Sequence, residues 1–287
     1  MYMSTILSGK EVAAALTDAL VQRTQALKDR GISPTLAIVR VGEREDDLSY
    51  ERGATKRCEK IGVAVRSFVL PADASQEELL QVIDQVNRDP EIHGCLLFRP
   101  LPKHMDDETV RRALAPEKDV DGITDGSLAG VFAGVKRGFP PCTAQACMEI
   151  LAHYGYDLTG KRVTVVGRSL VVGKPVAMML LQKNATVTLC HTRTVDMPAV
   201  CREAEILVVA AGKAGVVDAS YVSPGQVVVD VGINVNAEGK LCGDVAFDAV
   251  EPVVDAITPV PGGVGSVTTC VLVGHVVEAA ERTCGMA

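Results

Sequence analysis

Short apolar runs alternate with amphipathic stretches along most of this chain. TLAIVRV (35–41), VAVRSFVL (63–70) and HGCLLF (93–98) are aliphatic, β-branched in part and bounded by turn formers, which predicts buried strands. Between them, residues 46–61 and 75–88 carry apolar positions at helical spacing. The second stretch begins SQEELL, where Ser75 and Glu78 have the spacing of a capping box. Strands and helices in this alternation predict a parallel sheet with helices on both faces.

Pro140 and Pro141 interrupt the pattern and mark a domain boundary, with a helix expected from Thr143. The alternation then restarts. RVTVVG (162–167), ATVTLCH (185–191), ILVVAA (206–211) and VVVDVGI (227–233) read as strands, and GKPVAMMLLQK (173–183) as a helix. A long helix is expected from Ser266 to Cys284.

Composition narrows the classes. A chain of 287 residues is long enough for two domains, and 47% apolar residues suffice for their cores. The net charge is −7, from 29 basic and 36 acidic residues, with no basic block of the kind that grips nucleic acid. No apolar run approaches the ~20 residues of a membrane helix, and Lys10 and Glu11 interrupt the N-terminus before a signal-peptide core could form. A cytosolic protein is expected. The nine cysteines are never spaced C-x-x-C, so buried reduced thiols are expected rather than a metal site or a disulfide framework.

Candidate chemistry starts where the strand at 162–167 runs into its helix. Gly167 ends the strand and Gly173 opens the helix, with Arg168 and Ser169 in the turn. Small residues there let backbone N–H groups approach a pyrophosphate, although a plain strand-to-helix turn has the same look. Dinucleotide folds that choose NAD carry an acidic residue ~20 positions on. The next strand instead ends LCHTRT, with His191, Thr192 and Arg193 and no carboxylate. Two arginines and a hydroxyl suit a 2′-phosphate, which points to NADP; the alternative is that both arginines are surface residues.

Other loops carry candidates of their own. EKDVDGIT (117–124) holds Asp119 and Asp121, which are ligand groups or else turn formers and caps. RPLPKHM (99–105) and ITPVPGGVGSVT (257–268) are loops of the kind that border ligands in open α/β sheets. YERGATKRC (50–58) places Ala54, Arg57 and Cys58 on the helical face of Tyr50. By itself that stretch reads as a solvated surface helix.

Taken in order, EKDVDG, PCT at 141–143, GRS-x-x-VG-x-P at 167–175, DVGIN at 230–234, GDV at 243–245 and TPVPGGVG at 258–265 resemble the methylenetetrahydrofolate dehydrogenase/cyclohydrolase family over nearly the whole chain. The resemblance implies two domains facing each other across a cleft. Residues 1–140 with 266–287 would form a folate-binding catalytic α/β domain. Residues 141–265 would form a Rossmann-like, doubly wound parallel sheet for NADP. It also implies that Tyr50 stacks on the folate ring system, that Asp121 hydrogen-bonds the pterin, and that Pro261, Gly262 and Gly263 border the substrate. Gly167, Arg168, Ser169, Gly173, Thr192, Arg193 and Ile233 would form the NADP site. A homodimer is a further family expectation.

The chain departs from that pattern where chemistry is concerned. The family reads Y-x-x-x-K where this chain has Tyr50 and Ala54, and VQLPLP where it has LFRPLP, so Phe98 takes the glutamine position. Ala144, Ser266 and Val267 are milder departures, from PCTP and GVGPMT. By resemblance the lysine and glutamine serve hydrolysis of the methenyl bridge, in which protons move between oxygen and nitrogen. Oxidation of 5,10-methylenetetrahydrofolate needs positioning instead. A hydride leaves the bridging carbon and the cation is shared by two folate nitrogens. NADP-dependent oxidation with weak or absent cyclohydrolase activity is therefore expected. The alternatives are a bifunctional enzyme that also makes 10-formyltetrahydrofolate, and a non-catalytic folate or nucleotide sensor.

Overall fold

A computed structural model describes residues 4–286. In chain order its elements begin with β1 (Thr5–Ile6), α1 (Gly9–Lys28), β2 (Thr35–Val41), α2 (Glu45–Ile61), β3 (Ala64–Leu70), α3 (Gln76–Arg88) and β4 (Gly94–Leu97). They continue with α4 (Asp107–Ala113), α5 (Asp125–Ala133), α6 (Cys142–His153), β5 (Arg162–Val166), α7 (Gly173–Gln182), β6 (Thr186–Cys190) and α8 (Met197–Arg202). The last are β7 (Ile206–Val209), β8 (Val227–Asp230), β9 (Asn234–Val235), β10 (Leu241–Cys242), α9 (Phe247–Val250), β11 (Ala256–Ile257) and α10 (Thr268–Thr283).

The chain divides into two compact units, one of residues through Ala14 with Thr143–Thr268, the other of Ala15–Cys142 with the segment from Thr269. Of the expected folate domain, 1–140 with 266–287, the described residues 4–14 and 266–268 fall in the Rossmann-like unit instead. For the first of these segments the cause is pairing: Thr5 and Ile6 lie in parallel register with Ala256 and Ile257. Met1–Met3 and Ala287, at the ends of the expected ranges, lie outside the described residues, as does the start of the N-terminal stretch weighed as a signal peptide.

In the second unit, β2 pairs in parallel with β3 on one side and β4 on the other. All seven residues of β2 and all four of β4 are buried, which is why both are largely apolar, with Arg40 of β2 paired to Glu51 at 2.8 Å. Helix α3 presents Leu79, Ile83 and Val86 to Val39, Val41 and Leu97. Its capping box forms as the sequence predicts, with Glu78 N donating to Ser75 Oγ at 3.2 Å and Ser75 N to Glu78 Oε2 at 2.7 Å. Gly62, at φ +89°, closes α2 in the left-handed conformation.

In the first unit six parallel strands run in the order β1-β11-β8-β7-β5-β6. The chain adds β6 on one side of β5 and then crosses to β7 on the other. Ligands bind at such a switch point, beyond the carboxyl ends of the strands. Two strands end earlier than the pattern predicts, β7 at Val209 and β8 at Asp230. Ala210 N and Val231 N still donate across the sheet, to Val166 O and Val209 O, and only beyond them do Ala211 and Gly212 donate to Asp244 and Gly232 to Asp230. α1, α4, α5, the β9–β10 hairpin and the short strands β1 and β11 occupy stretches for which the pattern gave no element. Among the described residues no helix is long and apolar enough to cross a membrane.

Candidate active site

Within the second unit, three of the predicted residues meet. Tyr50 lies on α2, and its ring packs edge-to-face on Phe98, with centroids 6.0 Å apart at 82°. Phe98 follows β4 directly and is anchored by its N–H to Val39 O at 2.9 Å. Ala54, one turn beyond Tyr50, is fully buried. The positions assigned by resemblance to a lysine and a glutamine thus hold a methyl group inside the fold and an aromatic ring against Tyr50. Neither moves a proton. The Arg57 guanidinium donates to Thr17 Oγ1 at 2.9 Å, and Lys56 is exposed.

The two acids of the DVDG loop have separate surroundings. Asp119 is fully buried, and its oxygens accept from Ile123 N at 3.0 Å, Thr124 N at 2.7 Å and Ser127 Oγ at 2.6 Å. It is a turn anchor, as the bland reading of this loop held. Asp121 is partly exposed. Burial first, and the Asp119 charge second, push its carboxyl up to about 7; a hydrogen bond from Cys142 and the Arg99 guanidinium oppose the rise. The Tyr50 hydroxyl is pushed well above its ordinary value by desolvation, then by Asp121 and Cys142, and so stays protonated. Cys142, the cysteine of PCT, has its thiol 3.3 Å from Val120 O and 3.8 Å from His275 Nδ1. His275 also reaches Val120 O at 2.8 Å and stacks on Phe139, so α10 supports the backbone next to Asp121. No sequence signal marked His275, because a buried histidine reads like any helix residue.

The remaining candidates lie in the first unit. Gly167 has φ +115°, and a Cβ there would stand 2.0 Å from Ala210 O. A Cβ on Gly173 would stand 2.0 Å from Gly167 O. Only glycine fits either position, and the turn closes to bare backbone as a pyrophosphate cradle requires. Ser169 shapes the same turn: its Oγ accepts from Val172 N at 3.1 Å and its carbonyl from Lys174 N at 3.0 Å. Gly167 N bonds to Cys190 O at 2.9 Å, so the turn after β5 and the HTRT loop after β6 leave neighbouring strands at the same end. In that loop His191 N donates to Thr194 Oγ1, and Arg193 N to His191 Nδ1. Arg168, Thr192 and Arg193 are exposed, and neither guanidinium forms an ion pair among the described residues. A dinucleotide fits this arrangement, and an additional phosphate would meet two uncommitted cations.

A cavity of about 260 Å³ in the same unit brings Ile233 together with Pro261, Gly262 and Gly263, joining a predicted cofactor contact to the predicted substrate loop. Gly9, which the sequence reading passed over, supports that loop: its N–H donates to Gly262 O at 2.9 Å.

The comparisons bear on both units. Residues 7–121 match the family model for the catalytic domain of tetrahydrofolate dehydrogenase/cyclohydrolase, and residues 141–284 the model for its NAD(P)-binding domain. The bifunctional protein FolD of Carboxydothermus hydrogenoformans is 54% identical over 99% of this chain and 100% of its own length. Among solved structures, the bifunctional FolD of Campylobacter jejuni superposes with a TM-score of 0.94 at 37% identity, covering 98% of this chain and 99% of that one. The FolD of Trypanosoma brucei, solved with NADP cofactor and inhibitor, gives 0.91 at 33% identity over 99% of both chains. Relatives named as bifunctional support a two-activity enzyme and lend no support to the loss of hydrolysis expected from positions 54 and 98. With both of its domains matched, the chain belongs to the tetrahydrofolate dehydrogenase/cyclohydrolase family.

Proposed function

We propose that this chain oxidises 5,10-methylenetetrahydrofolate to 5,10-methenyltetrahydrofolate with NADP⁺. The observation that carries the cofactor choice is the glycine turn at 167–173, closed to bare backbone beside two guanidinium groups without acidic partners. NADP⁺, when bound, supplies the hydride acceptor. Gly167, Ser169 and Gly173 would hold its pyrophosphate, Arg168, Thr192 and Arg193 its 2′-phosphate, and Ile233 its nicotinamide end. In this reading residues 15–140 with α10 form the folate-binding part. Tyr50, kept neutral, offers an uncharged ring face to the folate ring system. Asp121 accepts from the pterin N–H donors, and Pro261–Gly263 line the substrate. The protein's share of the reaction is to orient the bridging carbon and exclude water.

Hydrolysis of the methenyl product is the finer question. The names of the relatives favour a second activity. The apolar pair at 54 and 98 opposes it, since a positioned proton-transfer group is typically worth ~10²–10⁴-fold. We therefore infer that hydrolysis here is slow relative to oxidation.

Three outcomes test this reading. Mixing the enzyme with methylenetetrahydrofolate and NADP⁺ should produce NADPH, read spectrophotometrically; tight folate binding with no turnover would mean a sensor instead. Arg168→Ala should weaken NADP⁺ binding ~10- to 100-fold, the scale of one charge-assisted phosphate contact, and leave NAD⁺ binding nearly unchanged. Equal losses for both nucleotides would reduce Arg168 to a turn-shaping role.

The third outcome follows from Asp121. Its folded-state value lies near 7, above the ordinary 3.8. Ionisation therefore costs stability, a cost absent below pH 4 and fully developed above pH 7. Asp121→Asn should unfold later than the parent at pH 8, by on the order of 2 kcal/mol, and match it near pH 4. Folate binding should weaken in the same variant while NADP⁺ binding holds. A variant less stable than the parent at pH 8 would count against a carboxylate held in unfavourable surroundings.

A further inference from the structure

Asp244 lies in the GDV segment that contributes to the family resemblance, yet neither the sequence nor the reaction gives it a task. It is fully buried. Its Oδ2 accepts from Ala211 N at 2.6 Å and Gly212 N at 2.8 Å, and its Oδ1 from Lys213 N at 2.9 Å and Asn234 Nδ2 at 2.9 Å. Four donors converge on one carboxylate, and they come from two loops, those after β7 and β8. The backbone next to it is fixed by a second carboxylate. Asp244 N and Val245 N donate to Asp230 Oδ1 and Oδ2, each at 3.0 Å, and Gly232 N donates to Oδ1 at 2.9 Å.

Each loop that Asp244 holds also touches the candidate site. The Ala210–Ala211 backbone is the surface against which Gly167 closes. Gly232 and Ile233 line the 260 Å³ cavity together with Pro261–Gly263. Gly232 sits so close that a Cβ would stand 2.3 Å from Asp244 N and 2.4 Å from Asp244 Oδ1. A carboxylate that accepts several N–H bonds fixes the loops that donate them. The phosphate-binding turn and the cavity wall are therefore tied to the same buried side chain.

We propose that Asp244 is a positioning residue that sets the spacing between the phosphate turn at Gly167 and the cavity-lining residues Gly232 and Ile233, next to Asn234, and through it the placement of the cofactor's two ends. This rests on the NADP reading above. It assigns Asp244 no contact with cofactor or substrate. Its effect passes through Ala211–Lys213 on one side and Asn234 on the other.

Asn234→Ala is the mild variant, because it removes one donor of four and leaves the buried charge in place. Asp244→Asn is the severe one, because its amide group would face the Ala211 and Gly212 N–H donors. NADP⁺ titration by calorimetry should show ~3- to 10-fold weaker binding for Asn234→Ala and ~10- to 100-fold for Asp244→Asn, in line with the loss of one or several hydrogen bonds to a charged group. In Asn234→Ala the KM for the folate substrate should hold while kcat falls. Amide hydrogen exchange should quicken at 211–213 and 231–234 and stay as in the parent across β5 and β7. Unchanged NADP⁺ binding and unchanged exchange in Asn234→Ala would overturn the proposal, even if Asp244→Asn does not fold. So would a loss of stability spread evenly through the sheet. If the parent itself does not bind NADP⁺, the functional reading falls first and this role falls with it. Loss seen in the variants against a binding parent supports the proposal alone.

Discussion

The nucleotide-binding unit depends on one steric constraint, the contact of Gly167 with the backbone of Ala210. No side chain fits between them, since a Cβ would stand 2.0 Å from the carbonyl oxygen. The contact joins the ends of β5 and β7, the strands on either side of the switch in chain direction. Gly173 repeats the constraint one turn later against Gly167 itself. The strand-to-helix turn is thereby reduced to backbone at the place where the sheet opens a crevice. The cationic character of the site follows from what surrounds that turn: exposed arginines at 168 and 193 and no acid at the end of β6.

In the other unit the decisive effect is how two neighbouring carboxylates are treated. Asp119 takes two backbone N–H groups and a hydroxyl, which stabilise its charge and spend it on the loop. Asp121, two residues on, is left with a thiol and a distant guanidinium, and its carboxyl rises toward neutrality. Loop geometry thus separates a structural acid from one still able to bind a ligand. The neutral Tyr50 phenol near Asp121 packs on the Phe98 ring, and the Ala54 methyl is buried one turn along the same helix. Such a face suits a flat, hydrogen-bonding heterocycle.

Much of this was legible in the sequence, for identifiable reasons. The largely apolar runs at 35–41 and 162–166 read as buried strands, and Ser75 with Glu78 gives a local start signal that tertiary contacts do not override. Gly167 and Gly173 were legible because the chemistry of a phosphate turn demands them. Non-local partners were not. Thr5 and Ile6 are two residues whose place in a sheet is fixed by a partner some 250 positions away. Past Ala210 and Val231 the backbone of both strands turns to carboxylates, Ala211 N to the distant Asp244 and Gly232 N to Asp230, which no alternation of apolar residues records. Phe98 was read as a lost glutamine, but its packing on Tyr50 emerged only in three dimensions.

The central claim is that this face retains what oxidation needs and lacks the pair that hydrolysis would use. It is tested most directly by following the one-carbon unit itself. Methylenetetrahydrofolate labelled with ¹³C at the bridging carbon is supplied with NADP⁺ in a non-catalytic buffer near neutral pH, and the label is tracked by ¹³C NMR alongside NADPH. The account predicts that labelled methenyl carbon accumulates in step with NADPH and passes to formyl far more slowly than NADPH forms. Labelled formyl appearing at the pace of NADPH would contradict it.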